Sequence, residues 1–144
     1  MVNTKLFKDI IMLQRGYDLP THKRISGMHP LVSSSKVDGK INSYKVTGPG
    51  VVTGRSGTIG EVQYIEDNYW PLNTTLYVTD FKNNNPKYIY YWLSNFPLSS
   101  YATGTSVPTL DRNDLFNLKC QINDIQTQHH IVDNIPKGAE IYEN

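Results

Sequence analysis

Four groups of residues in this 144-residue chain carry side chains of the kinds that do chemistry. Asp80-Phe81-Lys82 has the D-x-K form that ends metal-dependent nuclease cores, where carboxylates hold a hard cation. The second carboxylate such a core needs upstream on a strand can only be Glu61 or Glu66, and neither placement suits it. Asn85-Pro86-Lys87-Tyr88 shares three of four positions with the Asp/Asn-Pro-Pro-Tyr/Phe loop of adenine methyltransferases, but the second proline is lacking and no glycine-rich cofactor strand precedes it. As a helix start, with an asparagine cap and a proline in the first turn, it needs no further explanation. His129 and His130 are adjacent, so a helix points them about 100° apart. His22 and His29 lie in loop sequence without cysteine or acidic ligands at zinc spacing, so neither a metal site nor a cofactor is expected.

The fourth group is the most informative: Gly48-Pro49-Gly50-Val51-Val52-Thr53-Gly54-Arg55-Ser56-Gly57-Thr58-Ile59-Gly60-Glu61-Val62 sets one arginine among regularly spaced glycines. Aligned with the phosphate loop G-x-x-x-x-G-K-S/T, its first glycine falls on Pro49 and its lysine on Arg55. A dinucleotide fingerprint would need a glycine at Thr53 and a helix afterwards, whereas strand alternation follows. Glycine tolerates φ > 0 and close approach, so Gly54, Gly57 and Gly60 predict a tight turn that pushes Arg55 and Ser56 outward between two strands. A rigidly presented arginine suits base-edge readout in a DNA major groove; the alternative is an arginine that pins the turn to a carboxylate.

Phosphate contacts want Lys, Arg, Ser and Thr on loops. Candidates are Arg15, Lys23, Arg24, Ser34, Ser35 and Lys36, with Arg55 and Ser56 on the glycine turn and Thr105, Ser106 and Arg112 at a strand-to-helix transition. The net charge is only +1, but it is unevenly spread: +6 over residues 1–55, −2 over 56–100 and −3 over 101–144. Such asymmetry fits an anionic partner on one face. The single cysteine, Cys120, sits in an apolar run and reads as core, which with the lack of a membrane-length apolar stretch implies a soluble, reduced, cytoplasmic setting.

The elements that must position these residues are mostly short strands bounded by turn residues. Strands are expected at 30–32, 41–46, 51–53, 59–64 and 76–79, after a turn at 7–13 that leads into a strand and a polar loop at 17–27. The period then changes: Tyr88, Ile89, Trp92, Leu93 and Phe96 fall on one side of a helix capped at Asn85 and stopped by Pro97. A short helix is expected from Asp111, an extended segment at 115–122, and a final helix from Asp124 in which Ile125, Val132 and Ile135 share an apolar face and which ends at Pro136-Lys137-Gly138. The class is α+β, a twisted, mainly antiparallel sheet with short helices.

Residues 30–40, 48–62, 69–78 and 104–112, followed by 125–132, resemble in order and spacing the target recognition domain of type I restriction-modification specificity subunits. The resemblance implies a non-catalytic module that reads one half of a bipartite site on double-stranded DNA. In that family two such domains are separated by long helices that dock the methyltransferase subunits, so the full complex delivers methylase and restriction subunits to the target. Residues 1–123 then correspond to the recognition domain and 124–144 to the start of a spacer helix. The chain departs from the family at Thr127, where an acidic residue is usual, and at Pro136-Lys137-Gly138, which interrupts that helix. A half-size subunit, a truncated product or an excised domain are all compatible with this. With so short a final helix the isolated chain is expected to be a monomer. The other readings are a protein-interaction module or decoy that occupies a methylase, and a small metal-dependent nuclease.

Overall fold

The computed structural model describes residues 1–104 and 106–136. Short continuous runs of buried residues, not alternation, mark its central strands. Strands β1 (Val2–Leu6) and β2 (Met12–Arg15) flank a single helical turn, α1 (Phe7–Ile10); a hairpin follows, β3 (Ser26–Val32) and β4 (Val37–Ile41), then β5 (Gly50–Gly54), β6 (Val62–Ile65), β7 (Trp70–Pro71) and β8 (Thr75–Asp80). Helix α2 (Pro86–Ser94), the turn α3 (Asn113–Phe116), strand β9 (Lys119–Asn123) and helix α4 (Ile125–Asp133) complete it. Four strands in the order β2-β8-β5-β6 form an entirely antiparallel sheet. Beside it lie β4-β3-β7, in which the short β3–β7 pairing is parallel, and the antiparallel pair β1-β9. The fold is α+β and mainly antiparallel, as the sequence predicts.

Successive side chains of a strand point to opposite faces, and the central strands are buried on both. Val51, Leu76 and Val78 pack with Phe7, Ile10, Ile89 and Leu93 under the helices. Val52 and Tyr77 pack on the other face with Val32, Ile65 and Tyr69. Among the described residues Tyr69 is the largest fully buried side chain, and a Cβ at Gly50 would collide with its ring and hydroxyl. Glycine at position 50 is therefore a packing requirement of the second core.

Helix α2 begins as its sequence indicates: Asn85 Oδ1 accepts from Lys87 N at 2.9 Å and Tyr88 N at 3.1 Å, with Pro86 in the first turn. Tyr88, Ile89 and Leu93 are buried, while Trp92 lies half-buried with its Nε1 donating to the Gln121 carbonyl at 3.0 Å.

Two expectations change, and a strand forms at Val2–Leu6 where none was expected. The strand expected at 41–46 is instead β4, ending at Ile41, because Ser33 closes a tight turn on Lys36 (Ser33 N to Lys36 O, 2.8 Å) and the polar Asp38-Gly39-Lys40 returns beside β3. Strand β1 carries no apolar alternation and four of its five residues are exposed, yet it pairs with β9 in full register. Helix α4 buries Gln128 rather than Ile125, which is 40% exposed. Gln128 Nε2 donates to Asn84 Oδ1 (2.8 Å) and Asn123 O (2.7 Å), and its Oε1 accepts from Asn85 N (2.9 Å). These bonds satisfy a polar side chain that would otherwise be costly to bury. Lys137 and Gly138, expected to end that helix, lie outside the described residues; α4 ends at Asp133.

Replacing Gly50 by alanine overpacks a filled core, which costs about 1–3 kcal/mol; urea unfolding of Gly50→Ala should show a midpoint lowered accordingly. Asp124 caps α4, and hydrogen bonds from the Thr127 hydroxyl and amide, then from the Met1 ammonium, hold its carboxyl at about 2 against an ordinary 3.8. Folding lowers this pKa, so the stabilisation is present above about pH 4 and fades as pH falls through the folded value. Asp124→Asn, a cap that does not titrate, should flatten that part of the pH dependence in melting curves recorded between about pH 2 and 5.

Candidate nucleic-acid interface

Backbone hydrogen bonds gather one end of the molecule. The turn between β5 and β6 is tied to the turn before β8 through Arg55 N and Ser56 N, which donate to Thr74 O at 2.8 and 3.2 Å. On its other side Leu110 N donates to Arg55 O at 2.7 Å and Gly57 N to Pro108 O at 3.0 Å, so the segment before α3 joins the same cluster. Gly16 N donates to Thr75 O at 3.0 Å and brings the end of β2 alongside. Gln63 Nε2 donates to Ser33 O at 2.8 Å and draws in the β3–β4 turn, where a methyl group at Gly57 would lie 3.8 Å from Ser34 Oγ. Gly57 and Gly60 have φ of +91° and +107°, the region glycine occupies freely. Gly54 does not; its requirement is steric, since a Cβ there would strike the Thr58 carbonyl.

Arg55 is not pushed outward. Its side chain is half-buried and its Nε donates to the Asn73 carbonyl at 2.7 Å, so the turn is pinned to a backbone oxygen rather than to a carboxylate. Asn73 lies in the segment 69–78 that the sequence comparison singles out, but nothing in its residue type marks a carbonyl as the partner of an arginine 18 residues away. Burial, and then the charge of Arg15, lower the Arg55 pKa, with Asp18 acting the other way. Arg15, Arg55 and Arg112 line one cleft of about 340 Å³ with Thr109, Asp111 and Asn113.

The remaining candidates fall into two groups. Ser34 is half-buried beside the β5–β6 turn, Ser35 and Lys36 are exposed at the β3–β4 tip, Ser56 pairs with Thr109, and Ser106 is exposed. Thr105 lies outside the described residues. Arg24 has structural partners: Nε donates to Leu19 O at 3.1 Å and Nη1 lies 3.5 Å from Asp38 Oδ2, while Lys23 beside it is exposed. Arg24 and Asn73 share a depression of about 390 Å³ that borders the same end of the molecule.

The other chemical groups resolve into local structure. Asp80 Oδ1 accepts from Lys82 N at 2.7 Å and its Oδ2 lies 3.8 Å from Lys82 Nζ, a self-contained turn after β8. The His29 ring lies against that of Tyr44 in a tilted contact, centroids 4.8 Å apart, and His129 Nδ1 lies 2.7 Å from Asn85 Nδ2. Among the described residues no three His, Cys, Asp or Glu side chains are grouped to hold a metal, and no helix is long and apolar enough to cross a membrane.

Residues 3–137 match the family described as the type I restriction modification DNA specificity domain. In fold the chain is similar to the S subunit of a type-I restriction-modification system from M. genitalium, with a TM-score of 0.78 at 16% identity over 92% of this chain and 37% of that one. A chain from a structure of the assembly and conformational transition of the type I R-M system gives 0.70 at 10% identity, over 92% and 36%. The HsdS subunit from Thermoanaerobacter tengcongensis gives 0.62 at 10% identity, again over 92% and 36%. The chain thus spans little more than a third of these subunits. No curated protein matches it.

Because Arg55 gains one bond to Asn73 while losing solvation and facing Arg15, Arg55→Met should change unfolding free energy by no more than about 1.5 kcal/mol. Chemical denaturation of the two chains checks this, and a larger loss would make Arg55 chiefly a folding residue.

Proposed function

For this chain, which belongs to the type I restriction modification DNA specificity domain family, we propose that it binds duplex DNA sequence-specifically through the end where the β3–β4, β5–β6 and β7–β8 turns meet the segment before α3. The observation that carries this reading is the convergence there of three guanidinium groups with hydroxyl-bearing turns. Cations and hydroxyls on loops are what phosphate oxygens accept from, and rigid turns are what base edges require. The exposed side chains at the tips, Ser35, Lys36, Thr58 and Ser106, face the duplex, while Arg24 braces its own loop against Asp38.

The module itself carries no catalytic step. It reads one half of a bipartite target, and in the full complex it directs methyltransferase and restriction subunits to that site. Residues 1–123 form the reading module and the segment from Asp124 begins the connection to the docking helices. Gln128 binds α4 to the cap of α2 and to the end of β9, so under this reading the connection leaves from a helix anchored to the module.

Binding of a mixed-sequence duplex of about 16 base pairs should weaken with salt along a log–log slope of about −0.9 per phosphate neutralised. Lys36→Ala should reduce that slope by about one and weaken unrelated duplexes alike. Fluorescence anisotropy across a salt series measures both, and an affinity indifferent to salt would defeat the proposal.

A further inference from the structure

The cleft between Arg15, Arg55 and Arg112 holds more positive charge than its surroundings offset. Neither Arg55 nor Arg112 lies within ion-pair distance of a carboxylate among the described residues. Arg15 has Asp18 at 3.9 Å, but both are mostly exposed, where such pairs count for little. Asp111 also lines the cleft, its Oδ1 accepting from Asn113 N at 2.9 Å, and its single charge leaves the three guanidinium groups in excess. Arg55 lines the cleft with its Nε committed to Asn73, and its terminal nitrogens have no hydrogen-bond or ion-pair partner among the described residues. The volume of about 340 Å³ exceeds the share of one water, about 30 Å³, by an order of magnitude, so an anion enters with part of its hydration.

The charge decides between two uses of Arg55. A base edge is uncharged and would leave the mutual repulsion of Arg15 and Arg55 in place. A phosphodiester carries a full negative charge and several acceptor oxygens, and guanidinium forks match it in geometry. We propose that the Arg15–Arg55–Arg112 cleft is a discrete oxyanion site that takes one backbone phosphate of the duplex, so that Arg55 sets the register of the protein on DNA and bases are read by the neighbouring turn tips. This rests on the DNA-binding reading above but makes its own claim about which group enters the cleft.

The test uses the 144-residue chain with its arginine side chains isotopically labelled for NMR. Inorganic phosphate, titrated at constant ionic strength against chloride, should move the Arg55 Nε–Hε resonance along a saturating curve, and Arg112→Gln should remove the saturation. A mixed-sequence duplex should move the same resonance and compete with phosphate, and Arg112→Gln should weaken two unrelated duplexes by the same factor, roughly tenfold. Drifts that do not saturate, or a response untouched by Arg112→Gln, would overturn the oxyanion site. Duplex binding that leaves the Arg55 resonance in place, or an Arg112→Gln loss confined to one of the duplexes, would overturn the phosphate assignment while the DNA-binding reading stands. Saturable phosphate binding with no duplex binding would keep the oxyanion site and bring down the DNA-binding reading, and with it the assignment of the phosphate to DNA.

Discussion

The peptide unit of Arg55 is the point on which the candidate interface depends. Its amide is held by Thr74, its carbonyl by Leu110 and its side chain by Asn73, so three segments far apart in sequence meet at one residue. Each bond alone contributes roughly 0.5–1.5 kcal/mol. Their joint effect is geometric: they close turns that loop entropy would otherwise leave open, and they bring the segment carrying Arg112 to Arg55, beside the Arg15 that the β2–β8 pairing already holds.

The clamp can hold because the layer beneath it is stiff. Strands β5 and β8 bury side chains on both faces, with Val51 and Val52 in different cores one residue apart. A one-residue slip in their register would exchange the two cores, so the strand ends that carry the turns cannot shift independently. Gln128 performs a related task elsewhere with polar bonds, joining α4 to α2 and β9 through a side chain that is only 1% exposed.

What could be read in the sequence was whatever local chemistry decides. The Asn85-Pro86 cap, the turn glycines Gly57 and Gly60, and the strands around Val51 and Leu76 are specified by a few neighbouring residues, and the structure has them. The family resemblance likewise rested on turn segments whose residue types are fixed by backbone geometry. What could not be read was direction. Arg55 looked outward because a glycine turn usually presents its side chains; the Asn73 carbonyl that draws it in is supplied by tertiary pairing and has no signature of its own. Gln128 was invisible for the opposite reason, since a polar residue on a helix ordinarily marks the wet face and its three partners lie on other elements. Strand β1 is held by β9 across the whole length of the chain, so its exposed, non-alternating residues carried no signal.

The ties at the interface end are made almost wholly by amide and carbonyl groups, which every residue except proline possesses in full. Side chains at the tips, among them Ser35, Thr58 and Ser106, therefore stand on a frame that does not depend on what they are. Under the proposed function this separates heritable novelty from structural risk: a lineage can acquire a new target preference by point changes at the tips while the domain's architecture, and the machinery attached to it, passes on unaltered.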